Sequence, residues 1–131
     1  MANIPEDLSY SKDHEWVRIN GDQATIGITD HAQRQLGDIV YVELPKEGDR
    51  FDASEPFASV ESVKAVSEVY MPVTGPVIAC NSVLNDTPEN LNDDPYGDGW
   101  LIVVRVADRR ELDGLLSAEG YAEYIREESG E

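Results

Sequence analysis

The octapeptide Glu61-Ser62-Val63-Lys64-Ala65-Val66-Ser67-Glu68 reads nearly the same in both directions about the Lys64–Ala65 centre. A hairpin folded there pairs Val63 with Val66, Ser62 with Ser67 and Glu61 with Glu68. Directly opposed carboxylates destabilise a strand pair, and the centre has no Gly, Asn or Asp to ease a tight turn. Local stability therefore does not account for these residues. The arrangement does hold one lysine at a tip, on small flanks, with carboxylates a few residues away on either side. An unperturbed lysine has a pKa of about 10.4, and anionic neighbours favour its charged form, so Lys64 is a poor nucleophile and a poor Schiff-base catalyst. It is a better acceptor for an activated acyl group brought by an enzyme that recognises the hairpin. The alternative is a solvated cation at a strand tip.

Outward from this hairpin the pattern is mostly β. Residues 14–19 alternate in polarity, Asn20-Gly21-Asp22 is a turn signal, and residues 24–28 read as the returning strand. Thr29 or Asp30 can cap a short helix, with Gln33 placed as in a capping box and Gly37 closing it. Further strands read over 39–44, 57–63, 65–73, 77–80 and 100–106, with a long polar stretch over 81–99. Short strands at close spacing favour a sandwich or barrel. The pattern then turns helical, with Asp108 as a cap for residues 109–116, Gly120 as a break or bend, and 121–127 as the last turns. The expected organisation is one domain over 1–131, with a core over about 14–106 and a helical segment over about 108–128. The tail beyond Glu127 is expected to fray.

Composition narrows the function. The chain has 131 residues, 40% hydrophobic and 28% charged, with 27 Asp and Glu against 10 Lys and Arg. A net charge of −17 argues against nucleic acid and anionic lipid, and draws in basic protein surfaces instead. Cys80 is the only cysteine, so the chain builds no disulfide of its own, and it reads as a small buried strand residue. Neither a leader peptide nor a membrane-length apolar run is visible, so a cytoplasmic location is expected. His14 and His31 lie far apart in sequence and have no cysteine partner, which argues against a metal site. Trp16 and Trp100 read as core.

The run Val60-Glu61-Ser62-Val63-Lys64-Ala65 resembles the lipoylation site of glycine cleavage H proteins. The resemblance extends through His14-Glu15-Trp16, Gly27-Ile28-Thr29-Asp30-His31-Ala32, Leu36-Gly37-Asp38, Val42-Glu43-Leu44-Pro45, Pro72-Val73 with Gly75, and Asp94-Pro95-Tyr96-Gly97-Asp98-Gly99-Trp100-Leu101. Each motif is weak alone; their shared order and spacing over about a hundred residues is specific. The resemblance implies a mainly β, lipoyl-domain-like barrel-sandwich hybrid of two antiparallel sheets with short helices and a C-terminal helix. It implies lipoate joined covalently to Lys64, which removes the lysine's charge.

It also implies a carrier that catalyses nothing itself, and a carrier visiting three partners has reason to remain a monomer. Such a carrier takes an aminomethyl group from a pyridoxal-phosphate-dependent glycine decarboxylase to a tetrahydrofolate-dependent aminomethyltransferase, and its dithiol to a dihydrolipoyl dehydrogenase. By the same resemblance Glu15 and Glu68 shelter the arm, and Glu61 is read by the lipoyl- or octanoyl-transferring ligase. Two departures bear on this: Asp13 stands where many members have Ser, and Glu68 where many have Asp. A lipoyl carrier for another acyl-transfer or sulfur pathway is the alternative. A biotin carrier is disfavoured because Val63 and Ala65 flank the lysine where Met is usual. A hydrolase built on Glu15 and His14 lacks a supporting constellation, and an unmodified interaction module is the fallback.

Overall fold

A computed structural model describes residues 4–128 of the chain. In chain order the elements are β1 (Ser9–Tyr10), β2 (Glu15–Asn20), β3 (Gln23–Ile28), α1 (Asp30–Leu36), β4 (Ile39–Glu43), β5 (Arg50–Phe51), β6 (Pro56–Ser62), β7 (Val66–Tyr70), β8 (Gly75–Cys80), α2 (Asn90–Asp93), β9 (Ile102–Arg105) and α3 (Ala118–Glu128). Short 3₁₀ turns occupy Ser82–Asn85 and Arg109–Gly114. The strands form an antiparallel six-stranded sheet in the order β1-β2-β3-β9-β8-β5 and a three-stranded sheet in the order β4-β6-β7. Their inner faces share one core, in which Val17, Ala24, Ile26, Val77, Ile102 and Val104 of the larger sheet join Val42, Val60 and Val69 of the smaller. Both sheets keep free edges, so the two layers face each other without closing into a barrel.

Local sequence explains the joints. In the β2–β3 hairpin Gly21 takes φ 65° at the first position of a two-residue turn, the place where type II′ hairpins put glycine. Trp16 stands opposite Gly27, and a Cβ at Gly27 would lie 2.6 Å from the indole, so the glycine makes room for the ring. The indole is fully buried, and its Nε1 donates to the Pro95 carbonyl at 2.9 Å. Of the two candidate caps for α1, Thr29 is the one used: its hydroxyl accepts from the Ala32 amide. The Gln33 side chain donates to Asp30 Oδ1 rather than closing a capping box.

A second apolar cluster lies outside the main core, where α3 covers β1 and β2. Leu8, Tyr10, Trp16 and Tyr121 are its buried members, Trp100 is partly buried against them, and the Tyr10 and Tyr121 rings stack at 4.7 Å. Here the expected helical boundaries shift. Asp108 caps as expected, but the segment it opens is a 3₁₀ turn ending at Gly114, because Leu116 leaves to exchange both backbone hydrogen bonds with Tyr10. Gly120 does not break the chain and lies within α3. The Ser117 hydroxyl accepts from the Gly120 amide, and fully buried Tyr121 anchors the first turn, outweighing glycine's cost of about 1 kcal/mol in a helix. The polar stretch 81–99 is also structured: Leu84 and Leu91 are wholly buried, and Asn81 donates to the carbonyls of Asp98 and Trp100. Among the described residues, no helix is long and apolar enough to cross a membrane.

Candidate functional site

A tight turn at residues 11–15 aims Glu15 inward. Ser11 Oγ accepts from the amides of Asp13 and Glu15, both at 3.2 Å, and His14 takes φ 68° to bring the chain into β2. Glu15 is thereby buried at 1% exposure, between the two sheets. Ser11 donates to its Oε1 at 2.5 Å, and the Tyr70 amide at the end of β7 donates to its Oε2 at 3.3 Å. Loss of water dominates its titration: burial pushes the carboxyl from 4.5 up to about 7, against the lowering effect of those two hydrogen bonds. The hydroxyl beside this carboxylate comes from Ser11, a partner that the motif around His14 did not single out.

Glu15 lines a pocket of about 130 Å³ between β2, α1 and the β6–β7 hairpin. Ile28, Leu36, Val60 and Val69 supply apolar wall, and Glu68, itself exposed, supplies a second carboxylate. The structure thus brings together two acidic residues 53 positions apart in sequence. A cationic group entering the pocket would meet both, and one of them is withdrawn from water, where charge-assisted contacts are strongest.

The β6–β7 hairpin corrects the register read from the palindrome. Glu61 pairs with Val66, Val60 with Ser67 and Ser59 with Glu68, so Glu61 and Glu68 never oppose each other. Ser62 and Ala65 close the hairpin, with the Ser62 amide donating to the Ala65 carbonyl at 2.8 Å, and Val63-Lys64 is the two-residue loop. Neither loop residue has a positive φ, so the turn is not a glycine-requiring primed type. The buried Ser62 hydroxyl supplies what glycine would otherwise permit, accepting from the Lys64 and Ala65 amides. The Val63 amide donates to the Asp38 carbonyl at 3.0 Å, fastening the loop to the α1–β4 turn.

That turn is fixed in its own right. Asn92 accepts from the Ile39 amide and donates to the Gly37 carbonyl and to Gln33. Gly37 has φ 81°, and a Cβ there would stand 3.6 Å from Lys64 Cε, so the lysine stem runs along bare backbone while the residue stays exposed. Lys64 lies four residues before Glu68, about 13 Å along an extended strand. Glu61 is exposed on β6 and does not line the pocket.

The fold also closes a gap that sequence distance suggested was wide. The rings of His14 and His31 lie 4.8 Å apart, because β2 begins where α1 begins and the Thr29 amide donates to the His14 carbonyl. Glu128, at the end of α3, reaches both imidazoles. Position in sequence carried no sign of this, since the third member comes from a helix more than 90 residues away.

Known proteins share both the sequence and this architecture. Residues 8–128 match the family model described as Glycine cleavage H-protein. The chain is 53% identical to a glycine cleavage system H protein of Halothermothrix orenii, over 95% of this chain and 98% of that one. It is 55% identical to the namesake of Rubrobacter xylanophilus, over 98% and 99%. Its fold is similar to the crystal structure of a glycine cleavage system H protein from Mycobacterium marinum, with a TM-score of 0.84 at 38% identity, covering 98% of this chain and all of that one.

Proposed function

The chain belongs to the glycine cleavage H-protein family, and from that premise we propose that it carries lipoate in amide linkage on Lys64, as the shuttle of the glycine cleavage system. The observation that carries the assignment to this lysine is its position on an exposed two-residue loop whose backbone is tied down by Ser62 and Asp38, with an acid-lined apolar pocket along the same hairpin. The residues suit a lipoyl group: the amine is open to a ligase, and the pocket offers aliphatic wall at Ile28, Leu36, Val60 and Val69. When attached, that group supplies a strained disulfide that opens to take up an aminomethyl unit.

The chain's own residues then shelter the loaded end. The apolar wall excludes water, and Glu15 and Glu68 hold the ammonium of the aminomethyl unit. Glu15 is poised for this. Alone in its buried setting it titrates near neutrality, and an adjacent cation favours its anion, so loading and ionisation reinforce each other. Glu61 faces solvent beside the tip, where a lipoyl- or octanoyl-transferring ligase can read it. The chain contributes no catalytic step. Its partners are glycine decarboxylase, the aminomethyltransferase and dihydrolipoyl dehydrogenase, and the net charge of −17 favours docking on basic surfaces.

The test is the intact mass of protein purified from its own host, with peptide mapping of the added group. The proposal expects one lipoyl group on Lys64, and glycine–bicarbonate exchange by the decarboxylase only when the modified chain is added. Native protein without an acyl group on Lys64, or glycine turnover by the isolated chain, would overturn it.

A further inference from the structure

From the meeting of His14, His31 and Glu128 at the end of α3, we infer a binding site for a divalent cation of the zinc class, distinct from the loop that bears Lys64. The three side chains offer one ligand atom each, and these atoms lie within 4.8 Å of one another. His14 Nε2 stands 3.1 Å from Glu128 Oε1, and His31 Nε2 stands 3.9 Å from the same oxygen. A tetrahedral zinc ion with Zn–N bonds near 2.0–2.1 Å holds its ligand atoms about 3.3 Å apart. Both Glu128 contacts are shorter than the widest separation, which therefore lies between the two imidazoles, and binding must draw those rings together by side-chain rotation.

Two further observations favour an ion over a simple ion pair. His31 Nε2 is withdrawn from solvent with no hydrogen-bond partner, and 3.9 Å from Glu128 is too long for one. A buried imidazole nitrogen left in this way lacks something, and a cation would supply it. His14 is already aimed: its Nδ1 lies 2.8 Å from the Tyr121 hydroxyl, which also lies 2.7 Å from Thr29 Oγ1, leaving Nε2 to face the site. Ligating histidines are held in this way by an outer partner on the second nitrogen.

Three protein ligands leave one tetrahedral position for water, the pattern of an open rather than a closed zinc site. An ion there ties the end of α3 to the starts of β2 and α1. His14 also lines the acid-bearing pocket, so the pocket wall and the proposed ion share one residue.

The experiment is a calorimetric titration of the untagged full chain with Zn²⁺ alone, read together with native mass. The expected result is one ion per chain, with at least tenfold weaker binding in both His31→Gln and Glu128→Gln. Both variants keep Lys64 and its hairpin, so lipoylation proceeds in them and the outcome is separable from the carrier assignment. In parallel, Zn²⁺ should shift the imidazole proton resonances of the chain's two histidines together, in one saturable step that needs no variant. Absence of saturable binding, binding unchanged in His31→Gln, or histidine resonances that do not move would overturn the site.

Discussion

Replacing Glu15 by glutamine isolates the cost of keeping a carboxylate in a dry place. The folded carboxyl titrates near 7 against 4.5 for an ordinary glutamate, a rise of about 2.5, and at about 1.36 kcal/mol for each tenfold this amounts to about 3 kcal/mol. The sign follows from the direction. Because the folded value lies above the unfolded one, the native state binds the extra proton. There is no penalty below about pH 4.5; it grows as pH rises and is complete above about 7. The substituted side chain carries no charge, but it must present an amide to two donors, Ser11 Oγ and the Tyr70 amide, at a cost of about 1–3 kcal/mol that does not vary with pH. The difference in unfolding free energy between variant and parent should therefore move by about 3 kcal/mol in the variant's favour from pH 4.5 to pH 8. Urea unfolding of both proteins at closely spaced pH values measures it, with the other carboxylates cancelling in the difference. A difference that stays flat across that window would refute the account of Glu15 as a desolvated acid.

Lys64→Arg should remove the acyl modification, seen by intact mass, while leaving the thermal midpoint unchanged, because the side chain is exposed. Gly75→Ala should lower stability by about 3 kcal/mol in denaturant titration, since its Cβ would fall 1.9 Å from the Arg105 carbonyl oxygen on the neighbouring strand and neither backbone can retreat. Asn92→Ala should cost about 2–3 kcal/mol through three lost hydrogen bonds, and should slow ligase modification of Lys64 by loosening the turn on which its hairpin rests. A variant with unchanged stability and unchanged modification rate would show that Asn92 does not hold that turn.

Most of the strands were legible because turn residues and alternation announce them. Gly21 and Gly37 mark real joints, and strands at 39–43, 56–62 and 75–80 fall close to where the pattern put them. The hairpin register was not legible. A palindrome suggests pairing about its own centre, whereas the Ser62 hydroxyl moves the loop to Val63-Lys64 and slides Glu68 opposite Ser59. Two-residue strands such as β1 and β5 have no periodicity of their own and exist only through neighbours. Gly120 misled because propensity is local, while the burial of Tyr121 that offsets it comes from β1 across the chain. Glu15 and Glu68 were singled out through family resemblance, not through any local pattern. Their shared pocket is a property of packing, as are the Ser11 hydroxyl and the clustering of His14, His31 and Glu128.

Because the backbone under Lys64 is pinned by one buried hydroxyl and one carbonyl, a tether attached there has a stationary root. All its freedom lies in its own torsions, so it sweeps a volume fixed relative to the body, like a crane whose base is bolted down. An enzyme gripping the body would then know where the free end can reach, and the entropy lost on engagement would be that of the tether alone.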